Sequence, residues 1–411
     1  MENQKFINKP KYYFIKNFRY NIFKLNKNKC LIFFILFNLF LFIIIYTYIN
    51  KRNLMVYQNY VNSCIKLQKF NKTKLFNITN PYMSICLPVY NMEKYLERAL
   101  LSIINQSFQN FEIIIINDNS NDNTINITQK YMSQDNRIKI INHNQNFGVY
   151  RSRVDAVTNS IGEFIILMDP DDMLLNKDLF LELYNYNLKN NLDIIEFSVY
   201  YKEEERTSIY YPDIHQNNHY HGFNKTFIYQ PELSNIIFFD PIYKNYTSII
   251  CRTIWNKLIR KQILIKSIEY VDIDFHNQYL ITADDTPLNI MCFNYANNYS
   301  NINLPGYLYN IRTDSMSRFN NGHKHDIIVT INYLLYFKFF NRYIKDFNKD
   351  INFLNHDLKI FIHILLNLKE YKLSLYNSIL ISFIKEIINN KNTSNEFKKM
   401  LNKFLLEFNT L

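Results

Sequence analysis

The chain of 411 residues is long enough for one large domain or two smaller ones, and a hydrophobic content of 48% can fill a sizeable core. Its formal net charge of +11 is concentrated in residues 1–29, where Lys5, Lys9, Lys11, Lys16, Arg19, Lys24, Lys27 and Lys29 face only Glu2, so the body is close to neutral and no nucleic-acid partner is expected. The five cysteines (Cys30, Cys64, Cys86, Cys251 and Cys292) include no C-x-x-C pair, which excludes a zinc knuckle or a dithiol redox motif.

In chain order, the basic tail leads into residues 30–49, an apolar run without a charge that matches the ~20 residues a helix needs to cross a bilayer. It is longer than a signal-peptide core and has no small-residue cleavage site. With the basic residues ahead of it, the positive-inside rule predicts a single-pass type II membrane protein. The N-terminus is then cytosolic and the catalytic body lies in the lumen of the Golgi or endoplasmic reticulum. Residues 50–81 read as a stalk, 82–322 as the main domain and 323–411 as a C-terminal helical region.

From residue 83 strands and helices alternate. Met83–Val89 and Phe111–Ile116 are short apolar runs suited to buried strands, separated by a helical pattern over Glu93–Gln106. A polar cluster at 117–123 precedes a helix reaching Met132. Arg137–Ile141 gives a third strand, about 149–160 a helix, and Glu163–Met168 a fourth strand. Such alternation predicts an α/β fold, a mostly parallel sheet with helices on both faces, whose ligands bind beyond the carboxyl ends of the strands. Asp118 follows strand two, and Asp169, Asp171 and Asp172 follow strand four. Further on, Leu192–Tyr201 reads as a strand, 202–250 as polar and loop-rich, 284–297 as a helix and 301–311 as a strand. From about 325 amphipathic helices are expected, with apolar positions such as Leu358, Phe361, Ile362, Leu365 and Leu366.

Carboxylates ending adjacent strands suit one kind of chemistry. They can hold a base and ribose by hydrogen bonds, and hard oxygen ligands can hold Mn²⁺ or Mg²⁺ against phosphates, where the metal acts as a Lewis acid for a leaving group. Taken singly, Asp118 also reads as a turn or helix-capping residue, and the Asp169–Asp172 cluster as a solvated turn.

The segment MSICLPVYNMEKYLERALLSIINQSFQNFEIIIINDNSND, followed by NFGVYRSR and GEFIILMDPDD, resembles the family 2 glycosyltransferases of GT-A fold over residues 83–172. That resemblance implies an inverting transferase moving a sugar from a nucleotide-diphosphate donor, by default a UDP-sugar, to a hydroxyl on a glycan, protein or lipid. It places Pro88, Tyr90, Asn91 and Asp118 in the nucleotide pocket, with Asn117 where the family usually has a first Asp and Asn119 where Gly is frequent. It implies that Asp169-Pro170-Asp171-Asp172 is the D-x-D metal site, with Asp171 and Asp172 toward metal and ribose and Asp169 in support. Arg153 matches an Arg near the donor.

The same resemblance makes Asp285 the general base, with Asp284 where Glu is more usual, although Asp at a helix start is also an ordinary cap. Trp255 is either an acceptor-sugar platform or a core residue. His215, His219 and His221 lack a fourth ligand and read as loop. The motif and later spans of processive synthases are missing, which favours a single-addition enzyme. Two alternatives stay open: a cytosol-facing transferase using a lipid-linked phosphate, and a degenerate sugar-binding member without turnover.

Overall fold

The chain divides into two compact units, Met1–Ser63 and Cys64–Leu411. The computed structural model describes residues of the second unit: Phe76, 78–203, 209–210, 227–230, 253–275, 278–280, 285–312 and single positions between 332 and 402. The expected tail and membrane span fall outside the described residues.

Four strands form one half of the sheet: β1 (Met83–Val89), β2 (Phe111–Asn117), β3 (Ile138–Asn142) and β4 (Phe164–Leu167). They run parallel in the order β3-β2-β1-β4. Every residue of β1, β2 and β4 is buried, as expected of parallel strands covered on both faces. The two-residue period sorts their side chains between layers. Ile114, Ile116, Cys86 and Leu167 enter one core cluster; Ile113, Ile115, Ile85 and Ile166 enter the other.

Helices α1 (Leu96–Ile104) and α4 (Leu179–Asn190) contribute Leu96, Ala99, Leu100, Leu179, Phe180 and Leu183 to the second layer, joined by Tyr131 from α2 (Thr124–Met132). The opposite layer is built from α3 (Val149–Thr158), α5 (Lys261–Phe275) and α6 (Asp285–Tyr295). Fully burying a side chain such as Ile114 contributes about 1.5–3 kcal/mol.

The expectation of a mostly parallel sheet holds for β3 to β4 and is met only in part beyond it. Strand β9 (Lys257–Arg260) runs antiparallel between β4 and β6 (Ile194–Glu203), and β6 pairs in parallel with the long β10 (Asn298–Ile311). Two-residue β5 (Met173–Leu174) closes that edge antiparallel to β10. Within the stretch expected to be loop, β7 (Ile209–Tyr210) and β8 (Phe227–Tyr229) add short antiparallel strands on β6 and β10. The architecture is therefore a mixed α/β sheet between two helical layers.

Of the C-terminal region, Tyr336, Phe339 and Tyr343 are described as helical and buried in the α5–α6 layer, three and four positions apart as one helix face requires. Arg342 beside them ion-pairs with Asp274 at 2.7 Å. The apolar positions from Leu358 to Leu366 lie outside the described residues.

Candidate active site

The sheet opens at its carboxyl edge. Strand β1 pairs with β2 along its whole length, from Met83–Phe111 to Val89–Asn117, but with β4 only as far as Cys86–Leu167. Pro88 lies past that point, where its missing N–H deprives no β4 partner. Tyr90 and Asn91 follow at the rim, half-buried and exposed. Asn91 and Asn119 both take left-handed backbone, with φ of 52° and 61°. Asn tolerates that region better than most residues, which explains how Asn119 can fill a glycine's place.

The loops after β1 and β2 are laced together. Asn91 N–H donates to Ser120 Oγ (3.0 Å), Asn121 N–H to Asn91 Oδ1 (2.8 Å) and Met92 N–H to Thr124 Oγ1 (2.8 Å).

Asp118, at the end of β2, turns its carboxylate inward. Oδ1 accepts from Phe147 N–H (2.8 Å) and lies 2.7 Å from His143 Nδ1, while Oδ2 accepts from Gly148 N–H (2.8 Å). It therefore fixes the turn before α3. Gly148 has φ of +89°, and a Cβ there would stand 2.9 Å from the Leu280 carbonyl, so only glycine lets segment 278–280 approach so closely. Asn117 is explained by its neighbour: its side-chain amide donates to Asn142 Oδ1 across the β2–β3 register (2.9 Å), a bond an Asp could not give.

The acidic groups converge on Arg153, which α3 carries toward the crevice. Its Nη2 is 2.8 Å from Asp169 Oδ1, and its Nη1 pairs with Asp285 Oδ1 at the start of α6. Asp169 and Asp285 keep 22% and 21% of their side chains open, so the cluster borders solvent. Asp171 is ion-paired with Arg312 just beyond β10 (2.8 Å), and its main-chain carbonyl accepts from Arg98 Nη2 of α1 (2.7 Å). Burial and the neighbouring Asp169 charge push the Asp171 carboxyl up to about 6, against the pull of Arg312 and Arg98.

Asp172 corrects the expected ligand set. It is 1% exposed and turns into the core, its Oδ2 accepting from Tyr307 Oη (2.7 Å) and its Oδ1 from Asn310 N–H (2.7 Å). Burial, reinforced by the charges of Asp171 and Asp169, raises its carboxyl well above the ordinary range. The Asp172 carboxylate is thus engaged by Tyr307 and Asn310, whereas that of Asp171 pairs with Arg312. Asp169 and Asp171 keep 22% and 18% of their side chains exposed. Among the described residues no three metal-ligating side chains form a cage. Two carboxylates nevertheless suit Mg²⁺ or Mn²⁺, which commonly completes its shell with substrate phosphates, and the mutual repulsion within the cluster is what a cation relieves.

Trp255 is corrected as well. It is 5% exposed and stacked on Tyr307 (4.7 Å) and Tyr309 (5.3 Å), a core residue with no open face for a sugar. Its stack backs Tyr307, whose hydroxyl also accepts from Asp169 N–H (3.1 Å).

Asp118, Arg153, Asp169, Asp171 and Asp285 thus gather at one edge of the sheet. Asp284, His215, His219 and His221 lie outside the described residues. Sequence reading did not single out Tyr307, Arg312, Arg98 or His143. The segment YLYNIRTDSMS carried the first two and was the available signal.

Residues 84–267 match the model described as Glycosyl transferase family 2. An uncharacterized glycosyltransferase of Haemophilus influenzae is 38% identical over 112 residues, covering 27% of this chain and 44% of that protein. A GalNAc(5)-diNAcBac-PP-undecaprenol beta-1,3-glucosyltransferase of Campylobacter jejuni is 37% identical over 97 residues, covering 23% of this chain and 31% of that protein. In both cases less than half of the relative is spanned. The crystal structure of S. aureus TarS 1-349 in complex with UDP-GlcNAc superposes with a TM-score of 0.45 at 19% identity, over 70% of this chain and 80% of that one.

These relatives are bacterial, and bacteria have neither Golgi nor endoplasmic reticulum, which overturns the expected lumenal location of the catalytic body. No helix among the described residues is long and apolar enough to cross a membrane.

Proposed function

We propose that the chain, whose residues 84–267 match the glycosyl transferase family 2 model, acts as a transferase of that family and moves a sugar from a nucleotide-diphosphate donor to an acceptor hydroxyl with inversion. The observation that carries this reading is the bridge Asp169–Arg153–Asp285, which joins the end of β4, helix α3 and the start of α6 in one cluster. Donor contacts are proposed at Pro88, Tyr90, Asn91 and Asp118, with Asp118 acting chiefly by fixing the Phe147–Gly148 turn. Asp169 and Asp171 would hold Mn²⁺ or Mg²⁺, which when bound neutralises charge on the departing diphosphate.

Asp285 is the proposed base. It takes the proton of the acceptor hydroxyl while that oxygen bonds to the anomeric carbon and the bond to the nucleoside diphosphate breaks. Arg153 holds Asp285 in the described state. A diphosphate competing for that guanidinium would loosen the pair, so donor should bind before the carboxylate can act.

A UDP-sugar is the first choice of donor, and GDP-sugars form the second set. A glycan on a lipid diphosphate is the preferred acceptor class, supported by the name of the Campylobacter relative. The test is a panel of nucleotide sugars with Mn²⁺ or Mg²⁺, following release of free nucleotide in the presence of lipid-linked or free glycan. Release from no donor under any acceptor condition would refute the reading.

A further inference from the structure

Tyr279 is a large aromatic residue left 40% exposed, although the main chain around it is tied down. Asn332 Nδ2 donates to its carbonyl (3.1 Å), and Val149 N–H donates to the carbonyl of Leu280 (3.3 Å). On the other side, Gln278 N–H donates to the Phe275 carbonyl at the end of α5 (3.0 Å). Leu280 itself is buried in the layer of α5 and α6. Among the described residues the Tyr279 ring stacks on no other aromatic, and its hydroxyl has no hydrogen-bond partner. The backbone of 278–280 is fixed, and the ring is left to face outward.

The ring lies on the donor side of the crevice. A Cβ on Gly148 would stand 3.4 Å from Tyr279 Cδ2, so the ring rests on the glycine turn. Asp118 holds that same turn through the Phe147 and Gly148 N–H groups. The N–H of Asp118 donates to the Val89 carbonyl (2.8 Å), which brings Tyr90 alongside. Tyr90 and Tyr279 are thus both neighbours of Asp118. Burial first, then Tyr90 and Asp118, hold the Tyr279 hydroxyl above its ordinary range.

The Asp118 carboxylate has little left to offer a ligand. Of the roughly four lone-pair positions of a carboxylate, three face Phe147 N–H, Gly148 N–H and the His143 ring. Room remains for one donor. A flat heterocycle held by a single hydrogen bond needs a face to lie on, and a ring on a fixed backbone supplies one at little ordering cost.

We propose that Tyr279 is a binding residue for the donor's nucleobase, its ring forming a stacking wall over the Gly148 turn beside Asp118. This rests on the nucleotide-donor reading above and adds the segment before α6 to the parts of the chain that meet the donor. Every base has a π-face, so the wall serves UDP and GDP alike and leaves the choice between them to hydrogen bonds.

Calorimetric titration of UDP and of GDP into the full chain with Mn²⁺ tests it. Tyr279→Leu keeps apolar bulk and removes the ring; whichever nucleotide the wild type binds should bind about tenfold more weakly. Tyr279→Phe keeps the face and loses only the hydroxyl, so affinity should stay within about twofold. Without nucleotide, the three proteins should unfold at the same temperature. Wild-type affinity in the Leu variant overturns the wall, as does an equal loss in the Leu and Phe variants, which would assign the effect to the hydroxyl. Should the Leu variant unfold early, Tyr279→Trp decides: retained affinity supports an aromatic wall, and affinity as low as that of the Leu variant overturns it. A wild type that binds neither UDP nor GDP would instead overturn the nucleotide-donor reading, and the wall with it.

Discussion

Arg153 and Asp285 lie 132 positions apart in sequence yet meet as an ion pair, with Asp169 on the other arm of the same guanidinium. One cation thus holds both the proposed base and the first carboxylate of the D-x-D turn. Asp285→Asn keeps the side chain's size and removes its basicity. Transfer should fall by about 10²-fold or more while calorimetric nucleotide affinity does not fall, the signature of a lost proton acceptor. Full-rate transfer by this variant would remove Asp285 from the role.

Arg153→Lys should behave differently. A lysine offers a point charge and cannot fork between two carboxylates. Turnover should drop and the donor KM should rise together, because both Asp169 and Asp285 lose their common anchor. Steady-state kinetics against donor concentration separates this from the Asp285 variant.

Asp171 carries a cost in stability that function explains. Its folded carboxyl, at about 6, lies above the ordinary 3.8, so the wild type loses stability relative to a neutral variant as pH rises between those values. Asp171→Asn should therefore match the wild type near the acid end and become the more stable protein above about pH 6 in metal-free buffer. Thermal unfolding across pH checks the sign. Added Mn²⁺ should raise the wild-type Tm and leave the variant unmoved; an equal response would show that Asp171 holds no ion.

Glu112 titrates in the opposite sense. Burial alone would raise its carboxyl, but the bonds from Ile161 N–H (2.6 Å), Lys139 Nζ (2.8 Å) and Ser84 Oγ (2.6 Å) outweigh burial and leave it below the ordinary 4.5. A depressed carboxyl stabilises above its unfolded value and gives that stability up as pH falls through the folded one. Glu112→Gln should lower the Tm at neutral pH and narrow its gap to the wild type below about pH 4.5. A gap that is constant with pH would show that the charge is irrelevant there.

Tyr307→Phe tests the second correction. The hydroxyl donates to buried Asp172 and accepts from part-buried Asp169 N–H, so its removal leaves Asp172 Oδ2 without that donor at a cost of about 1–3 kcal/mol. A lower Tm together with weaker Mn²⁺-dependent nucleotide binding is expected. A lower Tm alone would limit Tyr307 to a structural role.

The parallel half of the fold was legible because β1, β2 and β4 are buried on both faces and leave uninterrupted apolar runs that end at acidic turns. The second half hid for physical reasons. In WNKLIRKQIL the strand β9 passes into α5 at Lys261 without a breaker residue, so neither period emerges. Helix α4 leaves Leu181 and Leu188 open to solvent at 37% and 63%, which blurs its apolar stripe. The direction of Asp172 is set by a tyrosine 135 positions away, information that no local pattern holds.

A chain with only five glycines still needs left-handed corners, and Asn91, Asn119 and Asn191 make them. Asparagine samples fewer shapes than glycine before the polypeptide collapses, so these corners surrender less disorder on folding. Two of the three rim the proposed donor crevice. That rim is in consequence set in outline by its own backbone, and a scarcity of one amino acid has become stiffness at the edge of the sheet.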